Sequence, residues 1–212
     1  MTGSRKSGEG VTPATQGVDA ARMGWPEILQ ADRLILRPPI ASDAAAIFES
    51  YTQDPDVTRY LMWRPHQRLA DAEEYLERCH ARRHAGTELT WMLTRRGDER
   101  VLGAIALRPE GHKANIGYVL ARAFWGQGFM SEAGRALLGE ARHVDGLHRV
   151  WAVCDVDNHA SARVMEKIGM VREGILRSWV IHPNISALPR DALCYAWVRP
   201  IQDRGSASIA FT

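Results

Sequence analysis

Cysteine is scarce in this chain: Cys79, Cys154 and Cys194 are the whole complement of its 212 residues. They stand far apart with no C-x-x-C pair. That argues against a zinc knuckle, a dithiol redox motif or a disulfide framework, and favours small buried thiols in a reducing compartment. Long apolar runs are also missing, so no segment is expected to span a bilayer. The N-terminus lacks the charged-then-apolar order of a secretory signal, and the expectation is a cytoplasmic protein. Neither sign of charge prevails: 27 Lys and Arg against 25 Asp and Glu leave +2, without the basic excess of a nucleic-acid surface. Neither nucleic acid nor a membrane is expected as a partner. Repeats and low-complexity blocks are absent, and 45% hydrophobic residues suffice for one well-buried domain of this length.

Residues 1–24 are rich in Gly, Ser, Thr and Ala. They offer too little apolar surface to offset their ordering entropy, so a disordered extension is expected there. From Arg33 the texture changes. Arg33–Arg37 alternates like a strand, and Ser42 is placed to cap a helix through Tyr51. Asp54-Pro55-Asp56 reads as a capping Asp with Pro at the first helical position. Asp71–Glu74 resembles a capping box, followed by Ala72, Tyr75, Leu76 and Cys79 on one helical face. Thr90–Arg95 and Val101–Arg108 flank a turn-forming Arg96–Glu99 insert and predict a hairpin. Ala114–Leu120 follows as a strand after the turn at Gly111–Lys113. A helix after Gly128, the strand Arg149–Asp155 and a helix from Asn158 to Ile168 ended by Gly169 come next. Met170–Ile181 and Asp191–Val198 close the order as strands. The class implied is α+β with one predominantly antiparallel sheet.

Two segments carry chemistry. In the first, the apolar strand ending at Leu120 passes through Phe124-Trp125 into Gly126-Gln127-Gly128 and directly into a helix. Glycines at a strand-to-helix turn leave backbone N–H groups bare at a helix N-terminus, which suits an anion. A dinucleotide fingerprint would need a closing Gly or Ala where Ser131 stands, and no Gly-Lys-Ser/Thr of a P-loop is present. A turn that merely relieves backbone strain is the alternative. In the second segment, Asn158 stands where a strand gives way to a helix, and Ser161 lies one turn on. Helix capping by Asn158 alone explains that residue.

The two segments, in this order, resemble the acetyl-CoA-binding core of the GNAT superfamily of N-acetyltransferases. Leu34–Arg37, Tyr60–Trp63, Gly103–Ala106, Gly117-Tyr118, Phe124–Glu132 and Asn158-x-x-Ser161 with Glu166-Lys167-x-Gly169 are similar to the Rim-type branch, which acetylates ribosomal proteins. The resemblance implies a GNAT domain over 33–200 and a tail at 201–212. It also implies a mostly antiparallel mixed sheet of about six to seven strands flanked by helices, in a single domain. Laid on the family pattern (Gln/Arg)-x-x-Gly-x-(Gly/Ala), the chain runs from Trp125 to Met130, and these two residues depart from it. The implied pyrophosphate donors are the backbones of Gln127, Gly128, Phe129, Met130 and Ser131. The strand backbone at Tyr118, Val119 and Leu120 is implied for the pantetheine arm and the thioester carbonyl. Asn158 would orient the pantetheine, and Ser161 would protonate the departing thiolate. Acetyl-CoA is the implied cosubstrate, with no metal: His80 and His84 have helical spacing but no third ligand.

An amine substrate is implied, with a protein N-terminus as first choice and an aminoglycoside, polyamine or amino acid as alternatives. A CoA-binding module without catalysis is the alternative of another class. An α-amino group titrates near pH 8, so about a tenth is already neutral at pH 7 and needs little base; a lysine ε-amine near 10.4 needs far more. No residue declares itself as that base, His159 included. The expected route is direct attack in a ternary complex, with Cys154 and Cys194 as the nucleophiles that a covalent route would use. The groove is expected from Tyr60–Arg64, the helix after Asp71 and the loop His182–Arg190. Monomer and homodimer stay equally open.

Overall fold

One open sheet of eight strands organises the chain, and the computed structural model describes residues 24–200 of it. The strands are β1 (Leu29–Gln30), β2 (Leu34–Arg37), β3 (Leu89–Arg95), β4 (Asp98–Glu110), β5 (Lys113–Leu120), β6 (Arg149–Asp155), β7 (Val171–Val180) and β8 (Arg190–Val198). Their spatial order is β1-β2-β3-β4-β5-β6-β8-β7. Every neighbouring pair is antiparallel except β5 and β6. The expected mixed, mostly antiparallel sheet is present, with one strand more than expected. The addition is β1, two residues long and too short to leave a periodic signal. The expected N-terminal extension up to Met23 and the tail from 201 lie outside the described residues.

Helices cover both faces. Helices α4 (Phe129–Ala141) and α5 (His159–Lys167) bury Leu137 and Met165 against one face, with Ile105, Ile116, Val150 and Ala152. Helices α1 (Asp43–Ile47), α2 (Pro55–Thr58) and α3 (Leu69–His84) cover the other, where Ile47, Val57, Ala72 and Leu76 pack on Met92, Val101 and Ala104. The strand alternation decides which residue serves which face. Tyr118 and Leu120 side with α4 and α5, whereas Val119 between them packs toward α1–α3.

Local expectations fared unevenly. Asp54 caps α2 as read, accepting from the Asp56 N–H at 2.9 Å with Pro55 inside the first turn. Ser42 makes no cap. Its backbone is already helical, and the neighbouring Asp43 takes the work instead. The Asp43 carboxylate accepts the Ile40 N–H at 2.9 Å and holds the Arg37 guanidinium of β2 at 2.7 Å. Helix α1 is also shorter than read, because Phe48–Thr52 widens into a π-turn. Asp71 does not start α3, which begins at Leu69. It sits inside the first turn and accepts the N–H groups of Gln67 and Arg68. The β3–β4 hairpin turns on Arg96-Gly97 alone, with Gly97 at φ +77°.

Candidate active site

The sheet opens in its middle. Strands β5 and β6 pair only at Lys113–Arg149, Ala114–Val150 and Asn115–Trp151. Beyond these, Ile116–Leu120 and Ala152–Asp155 run on without a further pair. At the fork the Asn115 side-chain amide donates to the Trp151 carbonyl at 3.3 Å. The gap is held open from outside: β5 stays registered with β4 as far as Leu120, and β6 with β8 as far as Asp155. Backbone edges that would normally satisfy each other therefore face an opening, available to an extended ligand.

Past Leu120 the chain turns through Arg122–Phe124 and reaches Gly126, at φ +75°, and Gly128, at φ +80°. Both lie in the left-handed region that a side chain disfavours, which is why glycine is needed here. The first helical bond of α4 runs from the Glu132 N–H to the Gly128 carbonyl. Among the described residues, the main-chain N–H groups of Gly126 through Ser131 donate to nothing. Six bare donors in sequence at the positive end of a helix are suited to an anion. The turn is braced from behind. The Trp125 indole N–H donates to the Leu120 carbonyl at 2.7 Å, and the Gln127 amide donates to the Ala123 carbonyl at 2.9 Å. Phe129 and Met130 are buried in the core and fix the start of the helix. The two departures from the family pattern thus have structural work, Trp125 as a brace and Met130 as packing.

Across the opening, Asn158 precedes α5 and its side-chain oxygen accepts the Ser161 N–H at 3.1 Å. Capping accounts for that oxygen, and the amide nitrogen donates to nothing among the described residues. The Ser161 hydroxyl meets the phenol of Tyr118 at 2.8 Å. Burial pushes the Tyr118 pKa up, against the opposing pull of Ser161, so the phenol keeps its proton. Cys154 is buried beside Ser161, and burial pushes its thiol up to about 11. A thiol so placed is a poor nucleophile at neutral pH. Cys194 is also buried, with its thiol raised by the same cause. His159 projects into solvent.

The face toward α1–α3 carries a buried charge cluster at the end of β6. Alternation sends Val150, Ala152 and Cys154 to the α4–α5 side and Asp155 to the opposite one. Asp155 is fully buried. Its carboxylate accepts Nε and Nη2 of Arg190 at 2.6 and 3.0 Å and the Asp157 N–H at 2.9 Å. Burial alone would raise its pKa; the Arg190 guanidinium and that N–H outweigh it and hold the carboxyl below the ordinary range. His182 Nε2 lies 3.4 Å from the same carboxylate, and among the described residues neither ring nitrogen has a hydrogen-bond partner. Burial lowers the imidazole pKa, with Asp155 opposing and Arg190 assisting. The His182 ring stands edge-on to Tyr60, with centroids 5.9 Å apart. Next to it, the Asn184 amide donates to the carbonyls of Thr58 and Trp63 at 2.7 and 2.8 Å. Trp63 packs on His66 and His66 on Tyr75 of α3. Contacts therefore link the three segments expected around a groove. The sequence offers no local sign of Asp155, Arg190 or the Tyr118 hydroxyl as parts of this region.

The site thus combines a parallel pair that splits in the middle of a mostly antiparallel sheet with a bare helix N-terminus at its mouth. The acetyltransferase (GNAT) domain profile matches residues 33–171. The chain belongs to the GNAT acetyltransferase family and is an acyltransferase. It is 32% identical over 176 residues to YoaA of Bacillus subtilis (strain 168), named an uncharacterized N-acetyltransferase, covering 82% of this chain and 97% of that protein. A GNAT-family acetyltransferase from Bacillus anthracis superposes with a TM-score of 0.71 at 29% identity, over 81% of this chain and 98% of that one. RimL, a ribosomal L7/L12 α-N-protein acetyltransferase solved with coenzyme A, superposes at 0.72 and 23% identity, over 82% and 98% of the two chains. At that identity the likeness is one of fold.

Proposed function

We propose that the domain spanning residues 33–200 transfers the acetyl group of acetyl-CoA to the α-amino group of a protein or peptide N-terminus, by direct attack within a ternary complex. The observation that carries the reading is the run of six unpaired N–H groups from Gly126 to Ser131 at the mouth of the β5–β6 opening. In this reading Gln127, Gly128, Phe129, Met130 and Ser131 cradle the pyrophosphate with main-chain donors. The pantetheine arm lies along Tyr118, Val119 and Leu120 as a further strand, and a donor from this edge polarises the thioester carbonyl. The Leu120 carbonyl is already engaged by Trp125, so the arm takes its contacts from the groups that remain free on that edge. The free amide nitrogen of Asn158 holds the pantetheine. Ser161 returns a proton to the thiolate.

Direct transfer is favoured because Cys154 and Cys194 are buried and their thiols are held protonated. The low base requirement of an α-amine fits a site in which no described residue is singled out as a general base. The fold of RimL supports an N-terminal peptide as acceptor. Steady-state assays with acetyl-CoA and a panel of amines test the reading: N-terminal peptides, their N-blocked lysine-containing counterparts, polyamines, aminoglycosides and free amino acids. Peptides with a free N-terminus are expected to give the highest kcat/KM, and blocking that terminus is expected to abolish turnover. Preference for any other class would replace the acceptor.

A further inference from the structure

Arg33 stands just before β2 and is 94 residues away from Gln127, yet four of its nitrogens end at the glycine turn and the first turn of α4. Its main-chain N–H and Nε donate to the two oxygens of Glu132, at 2.6 and 2.7 Å. Both terminal nitrogens donate to the Gln127 carbonyl at 3.2 Å. The guanidinium lies 4.3 Å from the Phe129 ring centroid, close enough for a cation–π contact. Two consequences follow. In a trans peptide the carbonyl and the next N–H point in opposite directions. Holding the Gln127 oxygen against Arg33 therefore aims the Gly128 N–H away from Arg33. Glu132 is also an almost buried carboxylate in the first turn of α4. Unpaired, it would oppose a second anion at the same helix end; paired with Arg33, it does not.

We propose that Arg33 is a positioning residue for the diphosphate: it fixes the orientation of the Gln127–Gly128 peptide and neutralises Glu132, so that the turn receives an anion without rearranging. This rests on the acetyl-CoA reading of the turn. Positive charge alone would not serve, because the ammonium of a lysine cannot hold both the carbonyl and the carboxylate in a fixed fork.

The test compares three donors, acetyl-CoA, acetyl-dephospho-CoA and S-acetylpantetheine, the last lacking the diphosphate. For Arg33→Met, KM is expected to rise about tenfold for both diphosphate donors, with kcat nearly unchanged. KM for S-acetylpantetheine should stay at the wild-type value. Arg33→Lys should recover only part of the loss, and adding Glu132→Gln to Arg33→Met should recover part by removing the repulsion. Circular dichroism and thermal melts accompany each variant, and Arg33→Lys keeps the test open where Arg33→Met folds poorly. An equal rise in KM for all three donors, or none for any, overturns the role of Arg33. If instead the wild type itself uses S-acetylpantetheine as well as acetyl-CoA, the diphosphate reading of the turn is what fails.

Discussion

The phenol oxygen of Tyr118 lies 2.8 Å from Oγ of Ser161 and 3.1 Å from its carbonyl oxygen. One residue belongs to β5 and the other to α5, so the bond bridges the opening between the two halves of the sheet. When the phenol donates to Oγ, the serine proton is free for a thiolate, and the chain of two hydroxyls stabilises the charge left behind. Tyr118→Phe removes only that donor. It is expected to lower kcat about threefold to tenfold with KM for acetyl-CoA unchanged, a loss of the size of one buried hydrogen bond. In a Ser161→Ala background the same change should cost nothing more, and a double-mutant cycle in single-turnover rates reads the difference.

Direct attack makes a specific demand on the thiols. Cys154→Ala and Cys194→Ala are each expected to keep kcat within about twofold, at a stability cost of about 1 kcal/mol from the lost packing. Intact-mass spectra after incubation with acetyl-CoA alone should show no added acetyl group. A stable adduct on Cys154 would sink the ternary-complex route.

Gly128 separates backbone strain from charge. Its φ of +80° penalises any side chain, but a Cβ there would meet only Arg33 Nη2, at an ordinary 3.7 Å. Gly128→Ala should therefore weaken CoA binding by the strain alone, about 1–2 kcal/mol. Gly128→Asp adds a carboxylate at the positive helix end and is expected to weaken it by a further factor of about ten or more. Calorimetric titration with CoA measures both; equal affinities for the two variants would refute an anion at this turn.

The Asp155 cluster predicts how stability responds to acid. Its folded pKa lies below the unfolded value, so its contribution is complete above the unfolded pKa near 3.9 and is lost as pH falls through the folded one. Melting temperature should drop on acidification below about pH 4, and less steeply in Asp155→Asn. That variant leaves Arg190 with Asp157 as its remaining carboxylate and should lower the melting temperature at neutral pH. Because Arg190 opens β8 and His182 follows β7, Asp155→Asn should also raise amide exchange across His182–Pro189. Unchanged exchange there would show that Asn184 alone anchors the loop.

Much of this was readable from local chemistry. Glycines that must sit at positive φ announce themselves, and so does an Asn at a strand-to-helix junction or an Asp followed by Pro at a helix start. Asn158, Asp54 and the glycines of the turn stand where that chemistry placed them. Ser42 and Asp71 were misplaced for a physical reason: several residues near a helix start can accept a bare N–H, and the winner is set by other contacts. Arg37 on the neighbouring strand decides for Asp43, and the approach of Gln67 and Arg68 decides for Asp71. The strand β1 escaped because two residues carry no period.

The chain by itself determined the turn Gly126–Gly128, the cap at Asn158 and the alternating strands, because each depends on side chains only a few residues apart. What binds these pieces into a site was decided by the tertiary structure. Tertiary packing lets β5 and β6 separate after Asn115 and carries Ser161 to Tyr118. It likewise brings Arg33 to Glu132 across 99 residues of chain and Asp155 to Arg190 and His182. Such pairs are set by long-range pairing and burial, where a charge finds the one partner that offsets its desolvation, and no local pattern encodes that partner.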